Sequence, residues 1–314
     1  MTPEPPAHGP TDAPAPGSHG SKAARQVTVR TADGVELALH HFPARGPRRA
    51  VCLCTHAMMT DSRYFSRGSQ AGFAGHLARR GIETYVLDFR GHGASRPRLS
   101  RRHAHWCFDD YVVHDLPAAV AAVCRLSDSA PSDMIYVGHS LGGVAALAAL
   151  GTGTIPGFRA LTLWAVSLWL PGPRGSRRRR AAAALYDLSA RPLGRAPIRA
   201  LGLGNNDEPR GYVSQLATWA RTGLWRSRDG VDYLASLATI EVPTWAVCGA
   251  GDRLCSFQDA EVMRKRIRHS APLRRVGVGF GDPLDCDHFT LFTREEMAPL
   301  WDEMIDVALP RSSR

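Results

Sequence analysis

A serine, an aspartate and a histidine stand in this chain in an order and a setting that suit acyl transfer. Ser140 lies in Gly138-His139-Ser140-Leu141-Gly142-Gly143. An apolar, β-prone run, Met134 to Val137, leads into it, and a small-residue helical run, Val144 to Leu150, leads out. A serine on a sharp turn between a strand and a helix is held clear of both, with its hydroxyl exposed at the sheet edge. Glycines on either side let strand and helix pass closely, and the turn holds the serine in strained backbone angles. A serine hydroxyl is too weakly acidic to attack a carbonyl at neutral pH on its own. It needs a base, a carboxylate to orient that base, and amides facing the developing oxyanion.

Asp252 suits the carboxylate and His288 the base. Asp252 follows an expected strand, Thr244–Gly249, through Ala250-Gly251. His288 follows the last expected strand and a loop, Gly279 to Asp287, and precedes a final helix. The chain order Ser, Asp, His is the one such turns use on parallel sheets. Asp252 also reads as an ordinary turn aspartate. Asp282, Asp285 and Asp287 are rival acids, but they crowd the histidine in sequence and suit loop solvation better. His269 precedes the last strand, which puts it at the wrong end of the sheet. The oxyanion donors are the amide of Leu141, at a helix N-terminus where free N–H groups and the dipole favour negative charge, and the amide of Met58, in the loop His56-Ala57-Met58-Met59 after the strand Ala50–Thr55.

The elements that carry these residues alternate. A hairpin, Gln26–Arg30 with Val35–Phe42, comes first. Strands follow at Ala50–Thr55, Glu83–Asp88, Met134–Gly138, Leu161–Val166, Thr244–Gly249 and Arg274–Val278. Helical stretches fall near Ser69–Arg80, Asp109–Leu126, Ser140–Leu150 and Phe257–Arg268. That rhythm implies an α/β fold: a mostly parallel central sheet with helices on both faces. Residues 25–166 and 240–310 form this core. Residues 167–239 show no clear strand and read as an inserted helical cap. Residues 1–24, rich in Pro, Ala and Gly, cannot build a core and read as a disordered tail.

Composition narrows the function classes. The chain has 314 residues, 44% of them hydrophobic, and no apolar run long enough to span a bilayer. The seven cysteines include no C-x-x-C pair, so neither a disulfide framework nor a zinc site is indicated. Cys52, Cys54 and Cys248 fall in expected strands as small core residues. With no signal-peptide pattern, this points to a reduced cytoplasm. Cys255 and Cys286 fall near the catalytic loops, where a disulfide between them is the minor reading. The net charge is +10, and residues 171–228 alone carry +9, including Arg177 to Arg180. Because 37 of the 39 basic residues are Arg, this reads first as a solvated, Arg-biased surface. Contact with a membrane surface or an anionic substrate is the sharper alternative. Nothing resembles a nucleic-acid recognition motif.

Three motifs carry a resemblance: Thr55-His56-Ala57-Met58, Asp88-Phe89-Arg90-Gly91-His92-Gly93-Ala94-Ser95, and Gly138-His139-Ser140-Leu141-Gly142-Gly143. Gly249-Ala250-Gly251-Asp252 and Asp287-His288-Phe289 complete it. On these the chain resembles the α/β-hydrolase fold superfamily, in the serine aminopeptidase S33, monoacylglycerol lipase and esterase-like group. The likeness covers residues 26–308 apart from the cap. It implies a Ser140–Asp252–His288 triad, and a structural rather than catalytic part for Arg90 and His92. His139 reads as a structural neighbour of the nucleophile. One departure stands out, since the family has His-Gly where this chain has His56-Ala57. Alanine tolerates left-handed angles poorly, so the loop either takes another conformation or is slightly reshaped.

Substrate is read from the cap. Trp164, Trp169, Trp219 and Trp225, with Leu168, Leu170 and Tyr212, suggest an apolar lining, with Met58 and Met59 as a soft wall. Met59, Trp169 and Trp219 are the substrate contacts expected. The expected reaction is hydrolysis of a hydrophobic or lipid-like carboxylic ester by a serine esterase through an acyl-enzyme. Amide, aminopeptidase-like, thioester or carbon–carbon cleavage on the same triad is the alternative, and a non-catalytic binding protein of the same fold a lesser one. No metal or organic cofactor is expected. The partner is a small hydrophobic ester.

Overall fold

The computed structural model describes residues 24–66, 71–95, 97, 105–168, 170 and 176–310. The tail reading for residues 1–24 therefore falls almost entirely outside the described residues, as does Trp169. The sheet holds eight strands: β1 (Arg25–Arg30), β2 (Glu36–Phe42), β3 (Ala50–Thr55), β4 (Ile82–Asp88), β5 (Met134–His139), β6 (Ala160–Trp164), β9 (Thr244–Gly249) and β10 (Arg274–Val276), in the order β1-β2-β4-β3-β5-β6-β9-β10. β2 runs antiparallel to β1 and β4, and every other pairing is parallel. β3, β5 and β9 are buried along their whole length. That is what a strand covered on both faces requires, and why each reads as an unbroken apolar run.

Two apolar layers sandwich the sheet. One gathers Leu53, Tyr136, Leu161 and Leu163 with α3 (Leu116–Ser127) and α4 (Leu141–Gly151). The other gathers Cys52, Val137 and Trp164 with α1 (Gly72–Arg79) and α10 (Ala298–Ala308). Trp164 sits in the second layer against Phe73, Trp245 and Phe292. This corrects its expected place in the substrate lining: strand period 2 sends Leu163 and Trp164 to opposite faces.

The helical stretch expected from Asp109 to Leu126 is not uniform. A short α2 (Phe108–Asp110) passes into a π-helical turn, Tyr111–Asp115, before α3, and Leu116 N bonds back to Tyr111 O. Pro117 lacks the N–H that would continue the i→i−4 ladder, so the register slips there.

Between the neighbouring strands β6 and β9 the chain makes a long excursion. It contains α5 (Ser176–Ala190), two-residue strands β7 (Arg195–Ala196) and β8 (Glu208–Pro209), α6 (Arg210–Thr222) and α7 (Tyr233–Ser236). The β7–β8 pair is absent from the sequence reading, because two residues leave no periodicity to detect. α5 is tied to α8 (Phe257–Arg264) by the Arg179–Asp259 ion pair, with one contact at 2.8 Å. Its neighbours Arg177, Arg178 and Arg180 are exposed. The remaining helix, α9 (Thr290–Thr293), follows His288. No helix among the described residues is long and apolar enough to cross a membrane.

Candidate active site

Ser140, Leu141, Met58, Asp252 and His288 all follow the C-terminal ends of parallel strands, where open α/β sheets build their sites. Ser140 turns the chain from β5 into α4 with φ 48° and ψ −112°. The glycines around it are required by contact. A Cβ on Gly138 would lie 2.5 Å from Gly143 Cα, and one on Gly142 would strike the Thr55 backbone, with its oxygen at 2.5 Å. Backbone bonds pin the turn: Ser140 N donates to Trp164 O at 2.9 Å, and Gly142 N to His56 O at 3.0 Å.

Asp252 and His288 meet, with His288 Nδ1 and Asp252 Oδ2 2.8 Å apart. The other carboxylate oxygen accepts from Leu254 N and Cys255 N, both at 2.8 Å. Asp252 is thus fixed by backbone donors with one oxygen left for the imidazole. His288 and Ser140 line the same cavity. The rival acids are engaged elsewhere. Asp282 pairs with Arg274 at 2.6 Å. Asp285 accepts from Val278 N, and Asp287 from Phe289 N and Thr290 N. His269 lies at the far end of the sheet, where its carbonyl accepts from Thr244 N at the start of β9.

His139 donates from Nε2 to the His288 carbonyl at 2.9 Å and stacks on Tyr64. Burial, with the His288 ring beside it, holds its pKa well below the ordinary value. It is a neutral support for the histidine loop. All seven cysteines are free. Burial pushes the Cys286 thiol up to about 12 and the Cys255 thiol well above its usual value, so neither is a ready nucleophile.

The loop after β3 departs from expectation. Ala57 is wholly buried and does not take a left-handed conformation; Met59 does, with φ 64°. The alanine is therefore tolerated because the strained residue lies two positions on. Met58, Met59 and Leu141 all reach the cavity beside Ser140. His56 anchors the loop as a neutral ring. Nδ1 faces the Ala57 carbonyl at 2.8 Å, and Nε2 accepts from Phe89 N at 3.1 Å. Burial, then the nearby His92, push its pKa down to about 4.

His92 has the opposite character. Nδ1 faces the Arg90 carbonyl and Nε2 faces Glu208 Oε1, each at 3.1 Å. Two acceptors demand two N–H groups. Burial opposes the charge, but the Glu208 carboxylate and these hydrogen bonds outweigh it and raise the pKa. Arg90 is locked by Asp115 at 2.7 Å and Asp33 at 2.7 Å. The motif 88–95 is thus a structural knot.

The cavity, about 180 Å³, runs from Ser140 and His288 under α5 and α6. Leu168, Tyr186, Tyr212, Leu216 and Trp219 wall it, and among the described residues no Asp, Glu, Lys or Arg lines it. Of the expected substrate contacts, Met59 and Trp219 are present. Trp225 is fully buried behind Trp219, and Leu170 packs against the core instead of lining the cavity. Sequence reasoning missed Tyr186, Leu254 and Phe289 as lining residues. It also missed Asn205, Asn206 and Glu208 as partners of the Met59 loop. No local motif marks any of them.

Residues 46–274 match the family model described as serine aminopeptidase, S33. Among solved structures, an esterase from Exiguobacterium antarcticum is similar with TM-score 0.62 at 16% identity, covering 90% of this chain and 99% of that one. A bacterial membrane phospholipase A is similar with TM-score 0.61 at 18% identity, covering 92% and 87%. A tear acid lipase-like protein from Mesocricetus auratus is 26% identical over 148 residues, 43% of this chain. The match spans only 36% of that protein's length.

Proposed function

Because the chain belongs to the serine aminopeptidase S33 family of α/β-hydrolases, and is an enzyme of that fold, we propose that it is a serine hydrolase of hydrophobic carboxylic esters, with Ser140, His288 and Asp252 as its triad. Ser140 Oγ attacks the ester carbonyl while His288 takes its proton through Nε2, the nitrogen turned away from Asp252. The tetrahedral oxyanion is met by the Met58 and Leu141 amides. Collapse expels the alcohol, which takes its proton from His288. Water, activated by the same imidazole, then releases the acyl group as a carboxylate. Asp252 keeps the tautomer and steadies the imidazolium. In this reading the excursion between β6 and β9 acts as a cap that selects the substrate.

The observation that carries the ester reading is the lining of the cavity. Apart from Ser140, His288 and Ser167 it is walled by aliphatic, thioether and aromatic side chains, with no carboxylate among the described residues. An aminopeptidase must hold a free ammonium group, and an unpaired ammonium in an apolar pocket is costly. Glu208, in the excursion, is fully buried and faces His92 and the Met59 amide instead. Paired assays separate the two bonds: p-nitrophenyl esters from acetyl to palmitoyl against aminoacyl p-nitroanilides. The ester reading predicts turnover of esters with an acyl-length optimum and at least 10²-fold less of the anilides. A preference for the anilides contradicts it.

A further inference from the structure

The left-handed backbone of Met59 is held from outside its own loop. Its carbonyl accepts from Asn205 N at 2.8 Å and Asn206 N at 3.1 Å. Its amide donates to Glu208 Oε1, the same oxygen that faces His92 Nε2 at 3.1 Å. Asn206 continues the clamp, since its Nδ2 donates to Thr60 O at 3.0 Å and Asp61 Oδ2 at 2.9 Å, and its Oδ1 accepts from Gly93 N at 3.0 Å. The fit is close, because a Cβ on Gly204 would lie 2.7 Å from Met59 Cβ. A non-glycine residue in this region is strained and persists only where its surroundings over-determine it. Here residues 205–208 supply the surroundings.

We propose that Glu208 is a positioning residue: from the excursion, it fixes the loop that aims the Met58 amide at the oxyanion, and so couples the seating of the cap to catalysis. The inference rests on the ester-hydrolase reading. Met58 and Met59 share a peptide unit, so a bond to the Met59 amide orients the plane next to the donating one. One Glu208 oxygen serves two donors. A neutral glutamine oxygen can still accept both, but without the charge that strengthens them. Without its counter-charge His92 carries a single N–H, and that proton can face Arg90 or residue 208 but not both.

The test compares wild type with Glu208→Gln and Glu208→Ala. Its readouts are kcat and KM on p-nitrophenyl butyrate, and Ki for an alkyl trifluoromethyl ketone, whose tetrahedral adduct carries the oxyanion. Removing an oxyanion donor costs about 10²–10³ in kcat. Glu208→Ala should fall about 10²-fold in kcat and the near-isosteric Glu208→Gln about tenfold, with KM within threefold. Ki should rise in proportion to the loss in kcat/KM. A folded Glu208→Gln with kcat within twofold of wild type overturns the proposal. So does a loss carried by KM, or one with Ki unmoved. If Glu208→Ala does not fold, Glu208→Gln decides alone. Wild type without Ser140-dependent turnover removes the ester reading, and this inference with it.

Discussion

Three non-glycine residues lining one cavity, Met59, Ser140 and Ala165, hold positive φ, and the first two are held in different ways. Ser140, at φ 48°, is secured largely by its own motif: Gly138, Gly142 and Gly143 let β5 and α4 close on each other, and Val144 N returns to Ser140 O at 3.0 Å, with backbone bonds to Trp164 O and His56 O on the adjoining strand ends. Met59, at φ 64°, is secured by residues about 150 positions away in the chain. The difference teaches where strain can be read. Strain compensated locally leaves a motif in the sequence. Strain compensated across the fold leaves none, and it makes the compensating segment part of the machinery.

The comparison can be broken at either end. The largest effect expected is from Ser140→Ala, a loss of about 10⁶ in kcat by analogy with other triads, with the melting temperature unchanged because only a half-exposed hydroxyl is removed. Residual turnover of a few per cent would sink the nucleophile assignment. Asp252→Asn should cost about 10⁴ in kcat through the wrong imidazole tautomer. A mild effect would return attention to Asp285 and Asp287. Gly142→Ala sharpens the local side. Its Cβ meets the Thr55 backbone, so denaturant unfolding should show a loss of about 3 kcal/mol; a neutral result would mean that the elbow yields more easily than its contacts imply.

Acid should act on the Met59 side. His56 is neutral in the fold, with its pKa pushed down to about 4, and burial holds that of His139 well below its ordinary value. Their contribution is complete above about pH 6.5 and is lost as pH falls toward 4, since the unfolded chain takes up protons first. His56 alone makes this about 3 kcal/mol. His92 runs the other way: its raised pKa gives stability that is whole below about pH 6.5 and fades as pH climbs. Melting temperatures from pH 8 to pH 4 should therefore drop most between 6.5 and 4, and His56→Gln should flatten that drop. A slope that begins only below pH 4 would assign acid sensitivity to carboxylates such as Asp61, held down to about 2.

The sequence carried the sheet and the meeting of Asp252 with His288 well, for physical reasons. β3 and β9 are apolar from end to end because both faces are covered, so their limits, Ala50–Thr55 and Thr244–Gly249, were legible to the residue. Asp252 and His288 were legible because each follows a strand in a fixed chain order, and the structure sets them 2.8 Å apart. The face on which Trp164 falls was not legible, since both faces of β6 are buried and alternation gives no sign of which meets the cavity. Nor was Glu208, whose partners Met59 and His92 are 149 and 116 positions away. The Ala57 departure was visible, but its resolution, a left-handed Met59, depends on the excursion and could not be read from the loop alone.

The most direct test of the central claim, that Ser140 is a nucleophile activated by this site, is covalent. Wild type and Ser140→Ala are treated with an alkyl fluorophosphonate, digested and mapped by mass spectrometry. The account predicts one adduct, on Ser140 of the wild type, and none on the variant. An adduct on another residue, or a folded wild type left unlabelled, would contradict it.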